Sequence, residues 1–433
     1  MMDFATSSDS AVQRQLDRLA ALSVPQGRLG LGTIRALLDR LGNPHLRLPP
    51  VFHVAGTNGK GSTCAFLRAM LEANGMRVHA TTSPHLVRYN ERIRVAGTLI
   101  EDARLAELLA EVLDASEGGR EELAPSFFEV TIAAAFVEFA RVPADACVIE
   151  VGLGGRFDAT NVIEDPAICG IAALGIDHER FLLAPEDGVP DEPLARIAFE
   201  KAGIVKPGRP VVALSYPEGA FLEVERAALA AGAPLAVKGR DWDASAELAG
   251  LHYRDRHGEL ALPAPALPGP HQIENAALAL AMLRHQDVAS VSREAMAEGI
   301  RAARWPARLQ RLAPGPLTGD REVWLDGGHN PSAGAMLGAH FAGQRLHLIV
   351  GMLEAKDPKA LTSPLGDTLT SLTVIPVPGH DYHPPAAFGP EAKSAPDVPA
   401  ALASLPDDGL PVLIAGSLYL AGTVLQLAGA LPD

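Results

Sequence analysis

The segment Val51-Phe-His-Val-Ala-Gly-Thr-Asn-Gly-Lys-Gly-Ser62 constrains the fold of this chain more than any other. An apolar run ending at Ala55 reads as a buried strand, and a helical apolar pattern opens at Ser62. Between them lie Gly56, Gly59 and Gly61. A strand that turns through glycines into a helix aims backbone N–H groups at one point, where the helix N-terminus adds positive potential. The pattern predicts a phosphate cradle made of Gly56, Thr57, Asn58, Gly59, Lys60, Gly61 and Ser62. Lys60 can reach the β- and γ-phosphates of a nucleotide, and Ser62 or Thr63 can face a metal-bound phosphate. The spacing is not the common G-x-x-x-x-G-K-[ST]: two residues separate Gly56 from Gly59, and Gly61 follows Lys60. A plain glycine turn is the alternative, but a strand and a helix flank it in the right order.

Other short apolar runs alternate with helical patterns, which predicts an α/β fold with mostly parallel sheets. Strands are expected at Val51–Ala55, Cys147–Val151, Ile168–Leu174 and Pro210–Leu214, and later at Val323–Asp326, Leu346–Gly351, Leu372–Val377 and Val412–Ala415. Helices are expected at Ser62–Asn74, Glu101–Leu113 and Phe128–Ala140. At 433 residues the chain exceeds the roughly 250–300 that one core supports, so two domains are expected. The proline-rich, basic segment Ala303–Pro316 is the expected boundary.

The formal net charge of −15 argues against a broad nucleic-acid or membrane-surface role, which needs a basic face. Cys64, Cys147 and Cys169 show no C-x-x-C spacing and read as buried thiols in a reducing compartment. Met1–Ser10 lacks the features of a signal peptide, and no run reaches about 18 apolar residues. A cytoplasmic protein is expected.

Three further residues carry chemistry. Glu150 ends a buried strand, where a charge is costly unless paired or bound to a metal. Ligand chemistry gathers at the carboxyl ends of such strands, so Glu150 is a candidate Mg²⁺ ligand, with an arginine ion pair as the alternative. His178 follows the next strand and is expected beside Glu150 across adjacent strand ends; alone, it would read as structural. Lys201 lies in a helical piece stopped by Gly203 and, from its surroundings in sequence, reads as a solvated lysine.

Ten segments together resemble the folylpolyglutamate synthases and dihydrofolate synthases, a branch of the Mur-type ATP-dependent amide ligases. They are VAGTNGKGS (Val54–Ser62), TSPHLVRYNERI (Thr82–Ile93), FFE (Phe127–Glu129), EVGLGGRFDATN (Glu150–Asn161), DH (Asp177–His178) and EKAGI (Glu200–Ile204). WPARLQ (Trp305–Gln310), LDGGHNP (Leu325–Pro331), GMLEAKD (Gly351–Asp357) and GSLY (Gly416–Tyr419) follow in family order.

The resemblance implies a P-loop NTPase-like Mur ligase central domain over residues 1–303 and a smaller Rossmann-like C-terminal α/β glutamate ligase domain over 304–433. It implies a monomer that uses ATP and Mg²⁺ to add L-glutamate to 7,8-dihydropteroate and to reduced folates through an acyl phosphate. A synthase acting on folates alone is the alternative. Lys60 would grip the phosphates, while Ser83, Glu150, His178 and a carbamylated Lys201 would hold the metal. Asn275 would lie at the adenine, Arg308 at the phosphates, Asp326 at the ribose, and His329 where the domains close on ATP. Ser126, Phe127, Phe128, Glu129, Phe157, Asp158 and Ala159 match the dihydropteroate-contacting stretches, with Leu22–Val24 upstream; core packing is the other reading of Phe127 and Phe128.

Two positions depart from the family pattern. Arg28-Leu-Gly-Leu-Gly-Thr33 stands where the family has DLGLER, and Phe199 stands where an arginine commonly precedes the EKAGI glutamate. Phe181–Arg196 is longer than the family pattern implies and reads as a surface loop near the metal. A cell-wall Mur ligase would need a uridine-binding domain ahead of the phosphate loop, and residue 56 leaves little chain for one. A non-catalytic nucleotide binder would be expected to lose Glu150 or Lys60, and both are present.

Overall fold

Runs that are apolar at nearly every position suit strands covered on both faces, and such runs build the sheets of the computed structural model, which describes residues 6–22, 30–118, 123–248 and 250–432. Ser23 and Val24 of the Leu22–Val24 stretch, and Arg28 and Leu29 of the N-terminal departure, lie outside the described residues. The chain divides into two compact units, one of residues 1–266 with 273–304 and one of 267–272 with 305–432.

Among the described residues, the first unit holds an eight-stranded sheet. Its strands are β1 (Val51–Ala55), β2 (Val78–Thr81), β3 (Ile93–Val95), β4 (Thr98–Leu99), β5 (Ala146–Glu150), β6 (Ile168–Ile171), β7 (Val211–Ala213) and β8 (Leu235–Val237). They lie in the order β4-β3-β2-β5-β1-β6-β7-β8. Pairing is parallel except at β2–β3 and β3–β4. β1 therefore sits between β5 and β6, with Val54 opposite Glu150 and Ala55 opposite Ile171. This corrects the expectation that the strands before Glu150 and His178 are neighbours. The chain inserts β5 between β2 and β1, then crosses to the other side of β1, which makes the carboxyl end of β1 the switch point where open α/β sheets bind ligands.

Asp102–Glu117 and Phe127–Arg141 bury Leu105, Leu109, Ile132 and Phe136 in one core, joined by Leu16 and Leu37 from two earlier helices. Pro193–Ala202 and Glu218–Ala230 bury Ala198, Ala202 and Val224 in another core on the same face, against Ala55, Cys169 and Val211. On the opposite face, the Met282 side chain of the helix His271–Arg284 packs against Gly170. A three-stranded antiparallel sheet, β9 (Trp242–Glu247), β10 (Gly250–Asp255) and β11 (Gly258–Leu262), was not expected from the sequence.

The second unit has six strands among the described residues: β12 (Gln310–Arg311), β13 (Val323–Leu325), β14 (Leu346–Val350), β15 (Leu369–Val374), β16 (Lys393–Ser394) and β17 (Val412–Ala415). Their order is β12-β13-β17-β14-β15-β16, and only β12 pairs antiparallel. Leu346, Leu348, Val350 and Leu413 pack on Leu337, Phe341 and Leu361 to form its core. β15 begins and ends three residues before the expected Leu372–Val377. The three cysteines are free and buried, as expected. Among the described residues no helix is long and apolar enough to cross a membrane.

Candidate active site

β1 ends at Ala55, and the chain turns directly into the glycine loop. The Thr57 and Asn58 N–H groups donate to the Ala173 carbonyl at 2.8 and 3.1 Å. The Thr57 hydroxyl donates to the Gly175 carbonyl at 2.9 Å and accepts the Gly175 N–H at 3.1 Å. Residues after Ile171 thus leave the sheet to brace the loop, and this is why the strand expected to run to Leu174 stops at Ile171. Gly59 has φ 82°, and a Cβ there would strike the Asn275 side-chain oxygen, so this position takes only glycine. Gly59 also caps the helix Lys60–Ala73, which starts two residues before the expected Ser62. As a glycine, it makes no side-chain cap bond to the first turn. Lys60 folds back so that Nζ lies 3.3 Å from the Thr57 carbonyl.

Glu150 is 5% exposed and accepts the Ser83 N–H at 3.2 Å. The sheet order sets this pair on one side of the glycine loop and the 172–178 stretch on the other. His178, in left-handed conformation at φ 54°, donates its N–H to Asp177 Oδ1 at 2.7 Å and starts the short helix Glu179–Leu182. Among the described residues no three His, Cys, Asp or Glu side chains converge as a ready metal cage.

Lys201 corrects its reading as a solvated lysine. It is 3% exposed, and Nζ donates to the Gly56 carbonyl at 2.8 Å. Burial, followed by the charge of Lys60, pulls its amine down to about 7 against the opposing pull of Asp177, Asp158 and Glu200. An amine poised there is partly neutral, and therefore nucleophilic, near physiological pH. Gly203 does not end this helix by left-handed conformation. Its φ is −60°, and a Cβ would come within 2.5 Å of Arg156 Cα, so glycine is there for close approach.

In the second unit, Ala307 and Leu309 flank Arg308 at φ 55° and 45°. Each left-handed non-glycine residue costs about 1–2 kcal/mol, so the arch needs bracing. Leu309 N–H donates to Asp326 Oδ2 at 2.8 Å, Ala307 N–H to Gln310 Oε1 at 2.9 Å, and Gly327 N–H to the Ala307 carbonyl at 3.0 Å. Asp326 Oδ1 accepts the Gly328 N–H at 2.7 Å. Burial holds the Asp326 carboxyl above its usual range, against the pull of Arg308. Asp326 therefore ties two loop segments together, and each oxygen keeps a lone pair for a further donor. His329 Nδ1 donates to the Gly327 carbonyl at 3.0 Å, which fixes the ring's tautomer.

The stretches matched to a pterin substrate have structural duties too. Ser126 and Glu129 form a capping box at the start of Phe127–Arg141, and Glu129 Oε2 accepts the Ser126 N–H at 2.7 Å. Phe127 and Phe128 are half-buried at the margin of the core, so core packing does not account for them fully. The Phe128 ring lies where a Cβ on Gly152 would be, 2.5 Å from Cζ. Phe157 lies under the Arg156 guanidinium at 4.2 Å. Ala159 is buried, and so is Asp158, which accepts the Leu153 N–H at 2.8 Å and the Thr160 N–H and hydroxyl at 3.0 and 2.6 Å.

Thr160 also meets His53 Nε2, at 2.9 Å, in the middle of β1. Burial pulls this imidazole down to about 3, so it stays neutral. Sequence reading missed this chain of contacts, whose one signal was a polar residue inside an apolar strand.

No family model matches the chain. It is 37% identical over 347 residues to the dihydrofolate synthase/folylpolyglutamate synthase of Bacillus subtilis, covering 76% of each chain. Escherichia coli FolC in complex with DHPP and ADP superposes with a TM-score of 0.84 at 30% identity, covering 98% of this chain and 99% of that one. A bifunctional folylpolyglutamate synthase/dihydrofolate synthase with Mn, AMPPNP and L-glutamate bound gives 0.83 at 29% identity, covering 98% and 100%.

Proposed function

Because the chain belongs to the dihydrofolate synthase/folylpolyglutamate synthase family, we infer that it is an ATP-dependent ligase that adds L-glutamate to 7,8-dihydropteroate and to the glutamate tail of reduced folates. The observation that carries this reading is Lys201, a buried amine seated on the carbonyl of Gly56 at the mouth of the phosphate loop. A mere nucleotide binder has no use for so costly a group there.

The chemistry follows from the poor leaving group of a carboxylate. A substrate carboxylate oxygen attacks the γ-phosphorus of ATP, the bond to the bridging oxygen breaks, and ADP leaves. The glutamate amine then bonds the acyl carbon, the C–O bond to phosphate breaks, and the amine proton passes to solvent. Residues Gly56–Ser62 hold the phosphates through backbone amides, and Lys60 offsets their charge. The buried Glu150 carboxylate beside Ser83 suits a hard divalent cation, with His178 completing the set from the other side of β1. When bound, Mg²⁺ supplies charge neutralisation at the phosphate oxygens.

Lys201 joins this set as a carbamate. Its neutral nitrogen bonds the carbon of CO₂, one C=O pair moves onto oxygen, and the N–H proton leaves to solvent. An ammonium that would repel a metal becomes an anion that holds one. Asn275 faces the adenine side, Arg308 the phosphates, Asp326 the ribose, and His329 acts where ATP is enclosed. Phe127, Phe128 and Phe157 offer the aromatic surface for a pterin, framed by Ser126, Glu129, Asp158 and Ala159. Residues 1–303 would serve as the ATP-binding domain and 304–433 as the glutamate ligase domain of a cytoplasmic monomer.

ADP release in the presence of glutamate, with 7,8-dihydropteroate in one arm and tetrahydrofolate in the other, tests bifunctionality. Turnover in both arms is expected. Turnover with tetrahydrofolate alone would leave a folylpolyglutamate synthase without dihydropteroate activity.

A further inference from the structure

The stretch Phe181–Arg196 does not behave as a free surface loop. Its last residues, from Pro193, belong to the helix that carries Lys201, and Leu182 at its start is buried 3.0 Å from the Cβ position of Gly154. We propose that Glu186, within this stretch, is a positioning residue for Lys201. The proposal rests on the reading of Lys201 as a metal-holding side chain.

The Lys201 helix is first fixed by backbone contact. Arg156 N–H donates to the Glu200 carbonyl at 2.7 Å, and a Cβ on Gly155 would lie 2.8 Å from the Lys201 carbonyl. Side-chain charges then lock the same interface. Arg156 holds Glu186 with two bonds, at 3.0 and 2.6 Å, and Glu200 with two more, at 3.1 and 2.7 Å. Arg196 Nη2 reaches Glu186 at 2.9 Å and Glu200 at 3.1 Å. The Arg196 and Glu200 side chains are only 6% and 7% exposed, so their charges are weakly screened. Phe199 lies 4.8 Å beneath the Arg156 guanidinium and 5.9 Å beneath that of Arg196, covering the cluster from below.

Two guanidinium groups are thus matched by two carboxylates, and Glu186 is the one supplied from outside the helix and the glycine loop. A cavity of about 220 Å³ remains between Leu153, Phe157, Phe181 and Glu186. Between the buried Leu182 and the helix start at Pro193, the Glu186 ion pairs tie this stretch to Arg156 and Arg196 beside that cavity. Without Glu186, both arginines compete for Glu200, the residue next to Lys201, and one positive charge stays unbalanced. The reach of Lys201 to Gly56 depends on that helix turn staying in place.

A double-mutant cycle on the full chain tests this, read by calorimetric titration of Mn²⁺ in the presence of ADP. Glu186→Gln is expected to weaken Mn²⁺ binding about tenfold, the loss usual for a partner that orients a metal ligand. In a Lys201→Ala background the same change should matter by less than about twofold, because coupled groups are not additive. Glu186→Asp, which keeps the charge, should retain most of the affinity; if Glu186→Gln does not fold, Glu186→Ala carries the cycle, with the same loss expected in the native background and less than about twofold in Lys201→Ala. An equal loss in both backgrounds, or none in the first, would overturn the positioning role. If Lys201→Ala itself leaves Mn²⁺ affinity unchanged, the parent reading of Lys201 falls instead.

Discussion

Arg308 is held between two left-handed residues, neither of them glycine. Such strain persists only where the surroundings enforce it, and here Asp326, Gln310 and Gly327 do so. Ala307→Gly relieves one strained residue and is expected to raise unfolding free energy by about 1 kcal/mol in urea titration. The same change loosens the arch, so kcat/KM for ATP should fall several-fold. A stabilised variant with unchanged ATP kinetics would show that the strain does not serve Arg308. At this scale the sequence was uneven in what it revealed. Gly59, Lys60 and Glu150 were legible because glycine turns and charged strand ends carry local signatures. The burial of Lys201 was not, because it arises where Gly155 and Gly203 let two distant backbones touch.

Elements were legible wherever both faces of a strand are apolar, as in β1, β5, β14 and β17. Their neighbours were not, since pairing order is set by crossovers and not by any one segment; β1 between β5 and β6 is the case in point. The antiparallel sheet β9–β11 escaped because one face is covered and the other is wet. Trp242, Leu251, Tyr253, Leu260 and Leu262 are buried, while the polar Asp243, His252, Arg254 and Glu259 alternate with them. Such alternation around the turn at Arg256–Gly258 was a readable signal. This sheet is tied to the helix His271–Arg284 by Arg284, which makes two bonds to Asp255, at 2.7 and 2.6 Å. The Asp255 side chain has no exposed surface and Arg284 only 13%, so removing one partner strands a buried charge. Arg284→Met is expected to cost about 3 kcal/mol in chemical denaturation. Adding Asp255→Asn should recover part of that loss, and strictly additive losses would contradict the pairing.

At the scale of the whole molecule, burial holds six histidines below the ordinary imidazole range. His53 is pulled down to about 3 and His271 to about 4, while His45, His79, His285 and His340 are lowered as well. The unfolded chain binds protons at these rings near pH 6.5, before the folded chain does. The native state therefore loses stability as pH falls from about 6.5 towards 4. The urea midpoint should drop steadily over that window. His53→Gln should flatten the slope by up to about 1.4 kcal/mol per pH unit, the value for one proton. An unchanged slope would mean that His53 does not stay neutral in the fold.

The chain divides into two units, with residues 267–272 grouped with the second; the signals the sequence offered were its length and the proline-rich segment near 303–316. The proposed ligation transfers a carboxylate oxygen to phosphorus, and that oxygen can be followed. With 7,8-dihydropteroate labelled with ¹⁸O at both carboxylate oxygens, ATP and glutamate, mass analysis of the released phosphate should find one labelled oxygen per molecule formed. Phosphate carrying no label, with amide still produced, would contradict an acyl phosphate.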